Sequence, residues 1–303
     1  MGGNNVKVFV TGSRGMMGQD LVPLIRLQGY DLHCVDVEDL DITRESDVHK
    51  AIESCMPDLV INCAAYTAVD KAEQERDRAF AVNRDGAGFV AEACASHQIP
   101  LIHISTDYVF DGQIKRPYLE DDPIHPLNVY GLSKWEGEQL IRSCNKKHMI
   151  IRSSWLFGVY GHNFVKTILS QAGEKDELRI VADQTGCPTW TVDLGRAVSR
   201  IAETLLKSEN ETLWGTYHYC GKGPVTWYDF ATRIVEEMER RGQSKSIRVT
   251  PIRTSDYPTA ANRPPWSVLD CAKIERAFSI QPKPWLKCLD NVLDTLLPSA
   301  TVL

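Results

Sequence analysis

The chain has 303 residues, 43% hydrophobic and 24% charged, enough material for one large core or two. A formal net charge of −6 argues against a general nucleic-acid binder, which needs a basic face, and no apolar run approaches the length of a membrane span. Nine cysteines, odd in number and without a C-x-x-C pair, give no legible disulfide or zinc framework; with no long apolar segment near the start, a reduced, cytoplasmic setting is expected.

Short apolar runs alternate with amphipathic segments through the first half. Val6–Val10 reads as a strand, followed by a glycine loop and a helix from about Met16 to Gln28. Asp31–Asp36 and Leu59–Cys63 read as further strands, with a helix around Glu45–Cys55 between them. One long helix is expected from about Arg76 to His97, then a strand at Leu101–Ser105, a helix opening near Asn128 and a strand at His148–Arg152. Near-continuous apolar strands separated by helices predict an α/β fold, a Rossmann-type doubly wound parallel sheet.

Beyond Arg152 the rhythm becomes irregular. Helices are expected at Asn163–Gln171, Thr191–Leu206, Trp227–Arg241 and Pro284–Leu297, with strands at Leu178–Val181 and Thr216–Cys220. This half reads mainly as a smaller, discontinuous α/β domain that binds substrate. The Thr191–Leu206 helix and the Thr216–Cys220 strand are expected to return to the first sheet. The predicted division is residues 1–157 plus 190–222 for a dinucleotide, and 158–189 plus 223–303 for substrate.

Gly12-Ser13-Arg14-Gly15-Met16-Met17-Gly18 follows a strand and opens a helix. Glycines at 12, 15 and 18 permit a tight turn, close backbone approach to a pyrophosphate and close helix packing, while the helix N-terminus turns free N–H groups toward the phosphates. Asp36 lies 18 positions beyond Gly18, near the spacing of about 20 expected for the acid that takes the adenosine ribose hydroxyls. That carboxylate would repel the extra phosphate of NADP, whereas Arg14 within the loop could clamp it. The two signals conflict; NADPH is the expected cofactor, with NADH as the second possibility.

Ser105-Thr106-Asp107-Tyr108 ends the fourth strand, at the rim where open α/β sheets bind ligands. Tyr130 and Lys134 stand four apart at the start of the next helix, on one face. Bringing a phenol from a pKa of about 10 to neutrality requires roughly 4 kcal/mol. A cation about 4 Å away, at an effective dielectric of about 20, supplies about that much. A proton donor tuned by its neighbouring ammonium is therefore sufficient in scale, although a Tyr–Lys pair on a helix is by itself common surface packing.

The stretches TGSRGMMGQDL, INCAAYTAVDKAE, AVNRDG, STDYVFDG, NVYGLSKWEGE, RSSWLFG, NFVKTIL, DQTGCPTW and RPPWSVLD run from residue 11 to about 270. On them the chain resembles the extended, nucleotide-sugar branch of the short-chain dehydrogenase/reductases, and within it the dTDP-4-dehydrorhamnose reductase family. The resemblance implies reduction of the C4 ketone of a dTDP-4-keto-6-deoxy sugar. Tyr130 would donate the proton, Lys134 would lower its pKa and hold the nicotinamide ribose, and Thr106 would bond the substrate oxygen with Ser105 beside it. Ala64, Ala65 and Tyr66 would line the cofactor and Asn83 would support the site. Asp107, Tyr108, Trp155, Asn163 and Arg263 would meet the nucleotide-sugar. Three of these have plain structural alternatives: Trp155 as core, Asn163 as a helix cap and Arg263 as a loop ion pair.

Magnesium-dependent dimerisation in the family uses glutamates on the first helix, where this chain has Gln19-Asp20, and in the C-terminal half, where it has Thr191-Val192-Asp193. No metal is expected, and the state is a monomer or homodimer. Related dehydratases follow the threonine with Asp then Glu, whereas Tyr108 stands here; epimerase–reductases use an added acid–base pair, often with a cysteine, and none lies between Cys94 and Cys144. A second alternative is a non-catalytic, NADP-binding regulatory subunit of methionine adenosyltransferase, which would bind cofactor without turnover.

Overall fold

Val8–Val10 and Leu59–Ile61 are wholly buried, the pattern of strands covered on both faces. The computed structural model describes residues 6–208, 210–243 and 247–297. In it, β1 (Lys7–Thr11), β2 (Asp31–Val35), β3 (Leu59–Asn62), β4 (Leu101–Thr106) and β5 (His148–Ser153) join the strand Gly215–His218 in one parallel sheet. Its spatial order is Gly215–His218, β5, β4, β3, β1, β2. The chain winds outward from β1 to β2, then resumes on the other side at β3. The crevice at the carboxyl ends of β1 and β3 is therefore the topological switch point, where such sheets bind ligands.

Helices Met16–Arg26, Thr191–Lys207 and Ala272–Phe278 cover one face through Leu21, Ile25, Leu194, Ile201, Ile274 and Phe278. Helices Glu45–Cys55, Ala87–Ser96 and Val129–Cys144 cover the other through Val48, Ile52, Val90 and Ile141. The strand expected at Thr216–Cys220 enters the central sheet beside β5, with Thr216 opposite Ile150. A separate core joins helices Phe164–Glu174, Trp227–Arg240 and Trp285–Leu296 through Ile168, Phe230, Ile234, Leu289 and Val292. Beside it Glu177–Val181 pairs in parallel with Arg248–Ile252, a strand the sequence reading missed.

The long helix expected from Arg76 is not regular. Helix Arg76–Phe80 passes through a π-helical stretch, Ala81–Gly86, before Ala87–Ser96. Such insertions re-aim side chains and often occur at functional sites. Among the described residues no helix is long and apolar enough to cross a membrane.

Candidate active site

The glycine loop is shaped by backbone requirements. Gly12 has φ +64, a left-handed conformation, and a β-carbon there would stand 2.6 Å from the Ala64 nitrogen. The loop from β1 is thus pressed against the loop after β3, leaving a concave backbone surface. Ser13 N–H donates to the Val35 carbonyl at 3.1 Å. The helix from Met16 has Gly15 as N-cap with no capping side chain, so its first N–H groups are open to an anion. The Met17 side chain is buried in the core, so its contribution to a cofactor is its backbone N–H. This loop fits a dinucleotide pyrophosphate.

Arg14 and Asp36 meet at the end of β2. Asp36 accepts from the Arg14 backbone N–H at 2.7 Å, while the guanidinium pairs with Glu38 and with Asp39 at 2.7 Å. One cation therefore lies among three carboxylates, so both signals in the sequence persist in the structure.

Asn83, delivered by the π-helical stretch, is 1% exposed and clamps the loop after β3. Its Oδ1 accepts from Tyr66 N–H at 2.8 Å, and its Nδ2 donates to Tyr66 O and to Ser133 Oγ, both at 3.0 Å. Asn62 similarly accepts from Thr11 Oγ1 at 2.8 Å and from Ala64 N–H at 3.0 Å. Ala64, Ala65 and Tyr66 are thereby fixed along the switch-point crevice.

After β4 the chain enters a short 3₁₀ turn, Asp107–Val109, capped by the Thr106 hydroxyl, which accepts from Tyr108 N–H at 3.2 Å. The same hydroxyl donates to Asp107 Oδ1 at 3.1 Å. Asn128 caps the following helix, accepting from Gly131 N–H at 2.8 Å. Tyr130, on the first turn, packs edge-to-face on Tyr108 with ring centroids 5.6 Å apart. Burial pushes Asp107 up to about 7. It pushes Tyr130 up to about 12, opposed by a hydrogen bond with Thr106 and reinforced by Asp107.

The acidification expected of Tyr130 beside Lys134 and a bound nicotinamide is not supplied by burial, which acts in the opposite direction. Lys134 is 2% exposed, and its ammonium points inward: Nζ donates to Ile104 O at 2.7 Å and lies 3.1 Å from His103 Nε2. Burial lowers Lys134 to about 8, opposed by Glu138 and Cys63. The protein's own groups therefore hold the phenol protonated through neutral pH.

Ser105 is also turned inward. Its hydroxyl donates to Glu138 at 2.6 Å, and Glu138, fully buried, takes Arg152 through two bonds of 3.0 and 2.8 Å and Arg142 at 2.9 Å. Ser105, expected among the cofactor-binding residues, supports the strand end by this bond. Asn163 caps the Phe164–Glu174 helix by accepting from Lys166 N–H at 3.2 Å, and its amide donates to Gly158 O at 2.9 Å. Trp155, partly buried, stacks on Trp227 with centroids 3.3 Å apart against the second core, from an unusual backbone φ of +48. Arg263 grips Asp70 through bonds of 3.1 and 2.6 Å. Asn163 is thus a helix cap and Arg263 an ion pair with a partly exposed guanidinium, while Trp155 lies partly buried against the second core.

Sequence reasoning passed over His103, Glu138 and Asp70. Glu138 follows Lys134 by one helical turn, and His103 shares a strand face with Ser105; both spacings were visible.

Comparison with known proteins follows the same lines. The family described as "RmlD substrate binding domain" matches residues 6–297. A dTDP-4-dehydrorhamnose reductase of Aggregatibacter actinomycetemcomitans is 44% identical over 288 residues, 94% of this chain and 98% of that protein. The crystal structure of a dTDP-4-dehydrorhamnose reductase from Clostridium acetobutylicum superposes with a TM-score of 0.89 at 38% identity, covering 96% of this chain and 99% of that one. A Bacillus anthracis dTDP-4-dehydrorhamnose reductase, solved in complex with NADP, gives 0.88 at 36% identity over 96% and 99%. The chain belongs to the RmlD substrate-binding domain family, and several of its relatives bear the name dTDP-4-dehydrorhamnose reductase.

Proposed function

We propose that the protein is an NAD(P)H-dependent oxidoreductase that reduces the C4 ketone of dTDP-4-dehydrorhamnose (dTDP-4-dehydro-6-deoxy-L-mannose) to dTDP-L-rhamnose. The observation that carries this reading is the convergence of Thr106 and Tyr130 on the sheet rim beside the glycine loop, in a chain 44% identical to a reductase of that name.

The backbone of Gly12–Met17 and the crevice wall Ala64–Tyr66 would hold the dinucleotide. A reduced nicotinamide supplies a hydride when bound there. Tyr130 holds a proton at Oη, retained by burial and by the nearby Asp107 until negative charge develops on a ketone oxygen. Thr106 would bond the same oxygen, and the Lys134 ammonium would stabilise the phenolate left behind. Tyr108 would border the sugar, and Arg263 would trade part of its bond with Asp70 for the diphosphate. NADPH is the preferred cofactor on the strength of Arg14 and the NADP-bound relative, with NADH second because Asp36, Glu38 and Asp39 surround that arginine.

Two organisational readings accompany this. Residues 1–157 with 190–222 would form the dinucleotide domain and 158–189 with 223–303 the substrate domain. Their separate cores support the division, although Ile274, Phe278 and Ile280 pack into the first core. Nine unpaired thiols support a cytoplasmic setting.

The test is direct. Protein is mixed with NADPH or NADH and the 4-dehydrorhamnose nucleotide, the reduced-nicotinamide absorbance is followed, and the sugar product is identified by NMR. Loss of absorbance with formation of the 4-hydroxy sugar is expected. Bound NADPH with no turnover would sink the reductase reading and favour a regulatory subunit.

A further inference from the structure

β4 is apolar at Leu101, Ile102 and Ile104, yet places an imidazole between them. His103 is completely buried, and its Nδ1 has no hydrogen-bond partner. An aliphatic side chain would pack there without leaving a buried polar atom unpaired. The other ring nitrogen, Nε2, lies 3.1 Å from Lys134 Nζ.

An ammonium is donor only, so Nε2 must accept, and the ring is neutral with its proton on Nδ1. Burial and the Lys134 charge both hold His103 well below its usual pKa, in agreement with that assignment. Lys134 has three protons. One goes to Ile104 O at 2.7 Å and one to His103, which leaves a single proton for the cleft.

We propose that His103 is a positioning residue: as a neutral acceptor it anchors the Lys134 ammonium, directs its one remaining proton toward the cleft and keeps the group charged in a buried place. The catalytic consequence rests on the reductase reading; the anchoring of the ammonium does not.

The groups facing Lys134 are few. Cys63 approaches from the end of β3 and His103 from β4, while Glu138 and Tyr130 share its helix. Glu138 is already engaged by Arg152 from β5 and by Arg142. Burial raises Cys63 to about 12, so it remains a neutral thiol through the working range. Loss of the His103 acceptor therefore removes a bond to the charged form that nothing nearby replaces, and Lys134 must lose its proton at lower pH.

The test compares His103→Leu, which removes the acceptor, with His103→Gln, whose amide oxygen can reach the position of Nε2. The first readout is the titration of Lys134 by NMR of the chain labelled at lysine Cε, the signal identified by its loss in Lys134→Met. His103→Leu should titrate about one pH unit lower than wild type, while His103→Gln should stay within about 0.3 of it. The second readout is the alkaline limb of kcat for the proposed reduction, which should move with the NMR value and cost His103→Leu about fivefold at pH 8 but little at pH 6. A His103→Leu protein that is folded by circular dichroism yet titrates Lys134 as wild type does overturns the proposal. So does an equal loss of activity at all pH values in both variants, the mark of a merely structural role. If His103→Leu does not fold, His103→Phe, a flat ring without the acceptor, takes its place: a lowered Lys134 titration supports the proposal and an unmoved one overturns it. If wild type fails to reduce the sugar but the NMR shift appears, the reductase reading fails and the anchoring stands.

Discussion

A β-carbon on Gly131 would stand 2.1 Å from the carbonyl oxygen of Tyr108. The helix that carries Tyr130 is therefore seated on the turn that follows Thr106, and the two proposed oxygen-binding groups owe their approach to one missing methyl group. Gly131→Ala must push helix and turn apart, because a backbone carbonyl cannot rotate aside as a side chain would. A displacement of about 1 Å is enough to cost roughly 10²-fold in rate. The expected outcome is that loss in kcat with a modest fall in melting temperature and nearly unchanged NADPH affinity. Unchanged kcat would show that the approach of the two elements does not matter.

Tyr130→Phe removes the proton while keeping the ring against Tyr108. Turnover should fall by about 10² or more, while NADPH binding, measured by fluorescence titration, stays close to wild type. An unimpaired variant would remove Tyr130 from the donor role. Thr106→Val should cost less, because it removes a bond to the oxygen and leaves the proton source in place.

Much of this arrangement was legible in the sequence, and the remainder divides on physical lines. Apolar runs and turn glycines revealed the strands of the central sheet, the switch-point loop and the return of the Thr216–Cys220 segment, because burial periodicity is written directly in residue order; the half-exposed strand Arg248–Ile252 lacks that pattern and was missed. Positions of chemistry at strand ends followed from the fold. The destinations of long or polar side chains did not follow, since they depend on partners distant in sequence. Lys134 turns inward because His103 and the Ile104 carbonyl await it 31 and 30 residues away, and Ser105 turns inward toward Glu138, 33 residues on. The π-helical stretch at Ala81–Gly86 left no signal in an otherwise helical pattern. Trp155 could not be placed by hydrophobicity alone, because its position depends on a left-handed backbone and on Trp227.

Arg263 and Asp70 give a prediction that separates binding from chemistry. The pair holds Asp70 below its usual pKa, chiefly through the hydrogen bond from Arg263. Arg263→Ala should raise KM for the nucleotide sugar by roughly 10- to 100-fold with a smaller change in kcat. Asp70→Asn should leave the guanidinium less restrained and raise KM far less. Equal effects of both variants on KM would indicate that the pair is only a loop clasp.

Asp107 links stability to pH. Its folded pKa of about 7 lies above the unfolded value because burial disfavours the carboxylate. For an acid shifted upward, the folded state binds the extra proton, so the contribution is fully present below the unfolded pKa and is lost as pH rises through about 7. The difference between pH 4 and pH 8 is at most about 4 kcal/mol at roughly 1.36 kcal/mol per pH unit. Asp107→Asn cannot ionise and should abolish this loss. Urea unfolding of both proteins at pH 4.5, 6 and 8 measures it: the variant should gain on wild type as pH rises. A constant difference between them would mean that Asp107 ionises in the folded protein as it does in water.

The Glu138 cluster offers the largest stability effect. One fully buried carboxylate compensates Arg152, itself 1% exposed, and also takes Arg142 and the Ser105 hydroxyl. Arg152 is further stacked near the Phe110 and Trp135 rings, at 5.2 and 5.8 Å. Removing the negative member of such a group leaves a buried charge unpaired, which costs about 3–5 kcal/mol. Glu138→Gln should therefore lower stability by roughly that amount in chemical unfolding. Pairing it with Arg152→Met should recover part of the loss, since the stranded cation is then absent as well. If the double variant is less stable than Glu138→Gln alone, the penalty comes from lost packing and hydrogen bonds and not from the uncompensated guanidinium.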